Sequence, residues 1–243
     1  TDNWMWPRHT GDFSIFRVYA DKDNKPAAYS KENVPYKAPR HLEISLDGVK
    51  EGDFSMIMGF PGSTQRYMTS YEIDEMLKVT NPQRIYIRGE RQAILKEDMQ
   101  ASDKIRIQYA SKYASSSNYW KNSIGMSRGV LKLNVKGKKE EQEQSFQAWA
   151  NQNTLPEEGY MDALSKIKEY VEKSAPAKKD LQYIKESMMR AIELLQLGRV
   201  LNNVKEVDVE KTMAVANRIY KDFNLPTDRR VAKKMLTMAR ENM

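Results

Sequence analysis

The sequence predicts an α+β protein, with short antiparallel strands in residues 1–72 and a mainly α-helical domain in residues 73–243. Three observations carry this reading. Five of the nine prolines, Pro7, Pro26, Pro35, Pro39 and Pro61, punctuate short alternating runs in the first segment, the pattern of strands joined by turns. The other four stand in Asn81-Pro82, Leu155-Pro156, Ala175-Pro176 and Leu225-Pro226, where Pro suits the first turn of a helix. The formal charge of +7 divides at the same place: residues 1–72 hold nine Lys and Arg against ten Asp and Glu, and the remainder holds 31 against 23.

Period-2 alternation predicts strands over residues 13–19, 42–46, 54–58 and 66–71. Beyond residue 72 the spacing changes. Leu181, Ile184, Met188, Ile192 and Leu195 recur at three, four, four and three residues, which places them on one helical face. Residues 101–150 form a longer helical stretch in which Gly125, Gly129 and Gly137 mark expected bends or breaks. No repeat of fixed period is present, which argues against a solenoid. The 14 methionines fall mostly on apolar faces, as core filling requires.

At 243 residues and 40% apolar content the chain can bury a real core. It contains no apolar run of the length a membrane helix needs. It begins at Thr1, with strand-forming residues almost at once, and reads as a piece of something longer. Cysteine is absent, which removes disulfides, thiol nucleophiles and Cys-ligated metals from this segment, and two histidines, His9 and His41, are too few and too far apart for a zinc site. No metal or cofactor is expected. The basic surplus is interleaved with acids, as in Lys136-Gly137-Lys138-Lys139-Glu140-Glu141, the mark of a solvated helix surface rather than a nucleic-acid face.

The chemistry concentrates at Gly11-Asp12, which runs straight into the alternating segment that follows. The orienting carboxylate of a chymotrypsin-like serine protease enters its strand in this way. That acid holds the catalytic histidine in one tautomer and stabilises its positive charge. The plain alternative is a turn residue, since Gly-Asp is common in loops. A second landmark supports the protease reading: Gly52-Asp53 leads into Met58-Gly59-Phe60-Pro61-Gly62 some forty residues on. His9, three residues from Asp12, is badly placed to be the base, and neither Ser63 nor Ser115-Ser116-Ser117 has the Gly-x-Ser-Gly setting of a nucleophile. Serine and histidine are therefore expected outside this chain, leaving it catalytically inert alone.

Several motifs together resemble one family. Asn3-Trp4, the run from Pro7 through Asp12 to Arg17, Gly52-Asp53 with Met58-Gly59-Phe60-Pro61-Gly62, the segment Arg66-Tyr67-Met68-Thr69-Ser70-Tyr71-Glu72, and Ser116-Ser117-Asn118-Tyr119-Trp120-Lys121-Asn122 are similar to the bacterial dipeptidyl aminopeptidases called dipeptidyl peptidase seven and eleven. The resemblance implies a chymotrypsin-like double β-barrel interrupted by a large helical domain. Residues 1–72 would then be the end of the first barrel and the start of the second, and residues 73–243 an incomplete inserted helical cap. It implies Asp12 as the triad acid, and Asn3, Trp4 and Asn118 as contacts to the free amino group of an oligopeptide substrate. An ammonium needs oxygen acceptors and tolerates an aromatic face beside it; for Trp4 the alternative is an indole packed in the barrel. The resemblance further implies a homodimer acting in the bacterial periplasm or at the cell surface.

Two other readings stay open at this level. One is a helical binding module with no catalysis, which places no demand on Asp12. The other is a periplasmic stress-type endopeptidase, although those enzymes lack the Asn3-Trp4 pair and the long helical insertion. Half a barrel also leaves unpaired strand edges, so the first 72 residues are expected to be the less stable part or to pair with another copy.

Overall fold

The computed structural model describes residues 14–56, 58–60, 62–202 and 209–243. They fall into two compact units, one closing at Thr64 and the other running from Gln65 to Met243.

In the first unit, strand β1 (Tyr19–Ala20) pairs antiparallel with β2 (Val34–Pro35), Tyr19 opposite Pro35 and Ala20 opposite Val34. The connection is held by polar side chains. Asp21 Oδ1 accepts from the backbone N–H of Asp23 at 2.9 Å and of Lys25 at 2.8 Å. Asn24 adopts φ +64°, a left-handed conformation that Asn tolerates better than most residues. Its amide then clasps Lys37, donating to the carbonyl at 2.9 Å and accepting from the N–H at 2.8 Å.

Among the described residues of the four expected strands, Tyr19 alone enters a ladder. Leu42, Ile44 and Leu46 alternate as a strand should, yet they are 92, 86 and 92% exposed. An extended segment needs a neighbour to satisfy its N–H and C=O groups, and among the described residues none lies beside residues 42–46. Residues 66–71 depart for a different reason. Thr69 Oγ1 accepts from Glu72 N at 3.4 Å while Glu72 Oε2 accepts from Thr69 N at 2.8 Å, a capping box that starts a helix at Ser70.

The second unit is helical. Helix α1 (Ser70–Glu75) passes through a π turn (Met76–Thr80) into α2 (Asn81–Ala101), with Pro82 in the first turn of α2. Ser102, extended at φ −151°, breaks the helix and its hydroxyl caps α3 (Asp103–Lys132) by accepting from Ile105 N. Helix α3 returns antiparallel along α2, cross-linked by Asn81 Nδ2 to Ser127 Oγ at 3.0 Å, Trp120 Nε1 to Ile85 O at 2.9 Å and Arg88 to Ser116 O at 3.4 Å. Gly125 and Gly129 do not interrupt α3. The break falls instead at Asn134, φ +47°, before α4 (Val135–Asn153). Gly137 matters just after it, because a Cβ there would come within 2.5 Å of the Asn134 amide.

A 3₁₀ turn (Pro156–Glu158), α5 (Ala163–Tyr183), a second π turn (Ile184–Met189), α6 (Glu193–Asn202), α7 (Val209–Lys221) and α8 (Leu225–Asn242) follow. Pro176 lies inside α5 rather than at a boundary. It is exposed, and the buried Val171 and Tyr183 on either side hold both halves of the helix against the core, so packing overrides the cost of a mid-helix Pro. The expected stripe from Leu181 to Leu195 also shifts. The π turn advances the phase and the helix breaks at Arg190, so the buried residues are Tyr183, Glu186, Ser187, Ala191, Ile192 and Glu193, while Leu181 and Leu195 are exposed. Together with Ile87, Leu95, Tyr109, Val231, Met235 and Met238, the aromatic and aliphatic members of that stripe form the core. No helix among the described residues is long and apolar enough to cross a membrane.

Candidate functional site

Three of the four sequence-predicted site residues, Asn3, Trp4 and Asp12, lie outside the described residues, as does His9. The fourth, Asn118, sits in the middle of α3 and lines a cleft of about 740 Å³ between α2 and α3. Its Oδ1 is buried and has no hydrogen-bond partner. The α2–α3 hairpin builds this place from sequence upward. Gly89 on α2 carries no side chain, so the Trp120 indole crosses to the Ile85 carbonyl; a Cβ at Gly89 would lie 3.4 Å from Trp120 Nε1. That contact pins the face of α3 two residues from Asn118. Gln92, Ser111, Ser115 and Ser117 add neutral polar groups to the lining, and Lys96 and Lys121 add positive ones.

A second cleft, of about 670 Å³, opens on the other side of the same hairpin, against the second π turn, α6 and α7. Its floor is a buried ionic network. Arg88 donates from Nε and from NH2 to Glu186 Oε2, both at 2.8 Å, and lies over the Tyr119 ring at 4.9 Å. Arg190 reaches Glu186 Oε1 at 2.9 Å and Arg84 stands 3.6 Å from the same oxygen. Burial lowers the Arg88 pKa and the Glu186 charge opposes that, so the guanidinium stays charged. Lys112 bonds to Glu193 at 2.5 Å and stands 4.2 Å from the Tyr109 ring centre. Asp228 accepts from the N–H groups of Glu193 and Leu194 at 2.8 and 3.1 Å, capping α6.

Sequence reasoning did not single out this network or the Gly89–Trp120 contact. A signal was present: Arg84, Arg88 and Arg91 recur at intervals of four and three, one face of a helix, and that face is turned inward. Read as charge alone, it looked like solvated surface.

Chemically the two clefts differ. The first offers an unused oxygen acceptor among mostly neutral polar groups with two lysines, and the second offers concentrated positive charge.

The whole chain, residues 1–243, matches the family described as peptidase S46. It is 45% identical to a Dipeptidyl-peptidase 7 of Porphyromonas endodontalis, covering 100% of this chain and 30% of that protein. It is 47% identical to a Dipeptidyl-peptidase 7 of Phocaeicola vulgatus, covering 99% and 35%, and 41% identical to an Asp/Glu-specific dipeptidyl-peptidase of Flavobacterium psychrophilum, covering 98% and 35%. Among solved structures it is similar to Porphyromonas endodontalis DPP11 in complex with the dipeptide Arg-Glu, with a TM-score of 0.75 at 34% identity over 100% of this chain and 36% of that one. The chain thus spans about a third of the length of the curated relatives it matches.

Proposed function

This chain belongs to the peptidase S46 family, and from that premise we propose that it is the segment of a serine dipeptidyl peptidase that supplies the triad acid and the anchor for the substrate's free amino group. The observation that carries the reading is the Asn118 carboxamide: a buried oxygen acceptor with no internal donor, in a cleft of about 740 Å³. An unpaired buried acceptor is costly, and an ammonium with three donors satisfies it. The lysines that share the cleft disfavour a lone cation, so the amine needs further acceptors. In this reading Asn3 supplies one and Trp4 supplies an aromatic face. Relatives named as dipeptidyl-peptidases, and a structural neighbour solved with a dipeptide, support the same substrate class.

In the proposed mechanism Asp12 accepts a hydrogen bond from the histidine of the triad, fixes its tautomer and stabilises the imidazolium formed when the serine attacks. Histidine, serine and oxyanion donors come from the remainder of the longer protein. The alternating segments at residues 42–46 and 54–58 then find their ladder partners there, completing antiparallel barrels of the chymotrypsin type, and residues 73–243 belong to an inserted cap that lets only a chain end enter. Function as a homodimer, in the bacterial periplasm or at the cell surface, follows from the family resemblance.

The test is Asp12→Asn in the full-length enzyme. Turnover of a dipeptide substrate should fall by about 10⁴-fold while the circular dichroism spectrum and Tm are unchanged. Turnover within about tenfold of the parent would remove Asp12 from the mechanism.

A further inference from the structure

The second cleft carries more positive charge than its structural ion pairs use. Six of its lining side chains are Arg or Lys and three are Glu or Asp. Of the acids, Glu186 is already shared by Arg84, Arg88 and Arg190, and Glu193 is held by Lys112. Arg91 is left over: it is only 9% exposed, its Nε has no hydrogen-bond partner, and among the described residues no carboxylate lies within 4.0 Å of it. Ser116, 2% exposed and lining the same cleft from α3, also has a hydroxyl without a partner. Arg199 on α6 and Arg218 on α7 stand exposed at the opening.

A buried guanidinium that makes no contact ion pair, and feels the charges of Glu193 and Asp228 only at longer range, is expensive, and a buried hydroxyl without a partner adds to that cost. Both are donors and both line one cavity. We infer that this cleft is a binding site for a small oxyanion, a carboxylate or phosphate group seated between Arg91 and Ser116 and drawn in by Arg199 and Arg218. The flat guanidinium fork matches the spacing of two such oxygens. The site is distinct from the Asn118 cleft and does not depend on the reading of that cleft as an amine anchor.

The experiment is isothermal titration calorimetry of the full-length protein with inorganic phosphate and with succinate, each at fixed ionic strength in chloride buffer. At least one probe should bind saturably. Arg91→Met should weaken that binding at least about tenfold with Tm held or raised, because the variant removes a buried charge whose Nε makes no hydrogen bond and which makes no contact ion pair. Arg218→Gln, at the exposed rim, should weaken it several-fold and serves should Arg91→Met fail to fold. Binding of phosphate alone would identify a free inorganic ion as the occupant, and binding of succinate alone a carboxylate such as a peptide carries; either supports the site. Absence of saturable binding up to about 10 mM of both probes, or equal binding by the parent and both variants, would overturn it.

Discussion

Trp120 on α3 donates its indole N–H to the carbonyl of Ile85 on α2 at 2.9 Å, crossing the gap that Gly89 leaves open. This bond locks the rotation of α3 against α2 and with it the direction of Asn118. Trp120→Phe keeps most of the packing and loses the hydrogen bond. It should lower unfolding free energy by about 1 kcal/mol, seen as a lower denaturant midpoint with an unchanged slope.

Glu186 is the shared acceptor for Arg88 and Arg190, with Arg84 close by, and it is buried. Glu186→Gln leaves the buried Arg88 guanidinium without its partner charge and should cost about 3–5 kcal/mol. Pairing Glu186→Met with Arg88→Met should recover much of the loss. A double variant no more stable than Glu186→Gln would show that packing, not charge, governs the site.

Tyr109 is 1% exposed, and its hydroxyl pKa is raised above the ordinary 10.0, first by burial and then by the negative charge of Glu193. A raised folded-state pKa contributes stability that is fully present below pH 10.0 and is lost as pH climbs toward the folded value. The parent should therefore lose stability in alkali above pH 10.0. In Tyr109→Phe, which has no proton to lose, denaturation at a series of pH values should show a flatter alkaline limb.

Asp74 shows the opposite sign. Its hydrogen bond to Lys78 is the largest influence and lowers its pKa below 3.8; burial comes next and opposes it, and Lys136 lowers it further. That stability is present above pH 3.8 and vanishes as pH falls through the lower folded value. Asp74→Asn should be less stable than the parent near pH 7 and match it in strong acid. The carboxylate is partly exposed and both lysines reach solvent, so the difference should be small and should shrink in high salt.

Much of the helical unit was legible from the chain. Proline at the first turns of α2 and α8 is a local signal and gave those starts directly. What escaped were features set by tertiary context. Residues 42–46 alternate correctly, but alternation only says that a strand can form; a ladder requires a neighbour. The Thr69–Glu72 capping box was readable as Thr-x-x-Glu, yet alternation over residues 66–71 obscured it. The π turn at Ile184–Met189 has no sequence signature, and with it the buried positions no longer follow the expected stripe, of which Ile192 alone is fully buried. At the site, Asn118 was reached only through resemblance, because a lone Asn in a polar run carries no periodic signal. Arg91 was missed because charge normally marks surface.

The most direct measurement is steady-state cleavage by the full-length enzyme of two fluorogenic dipeptides that differ only in a free or an acetylated amino terminus, repeated with Asn118→Ala. Cleavage of the free dipeptide alone is expected. Asn118→Ala should raise KM by about tenfold or more with Tm unchanged, since the carboxamide oxygen makes no internal hydrogen bond. Comparable cleavage of the acetylated dipeptide, or an unaltered KM in the variant, would rule out Asn118 as an anchor for the substrate amine.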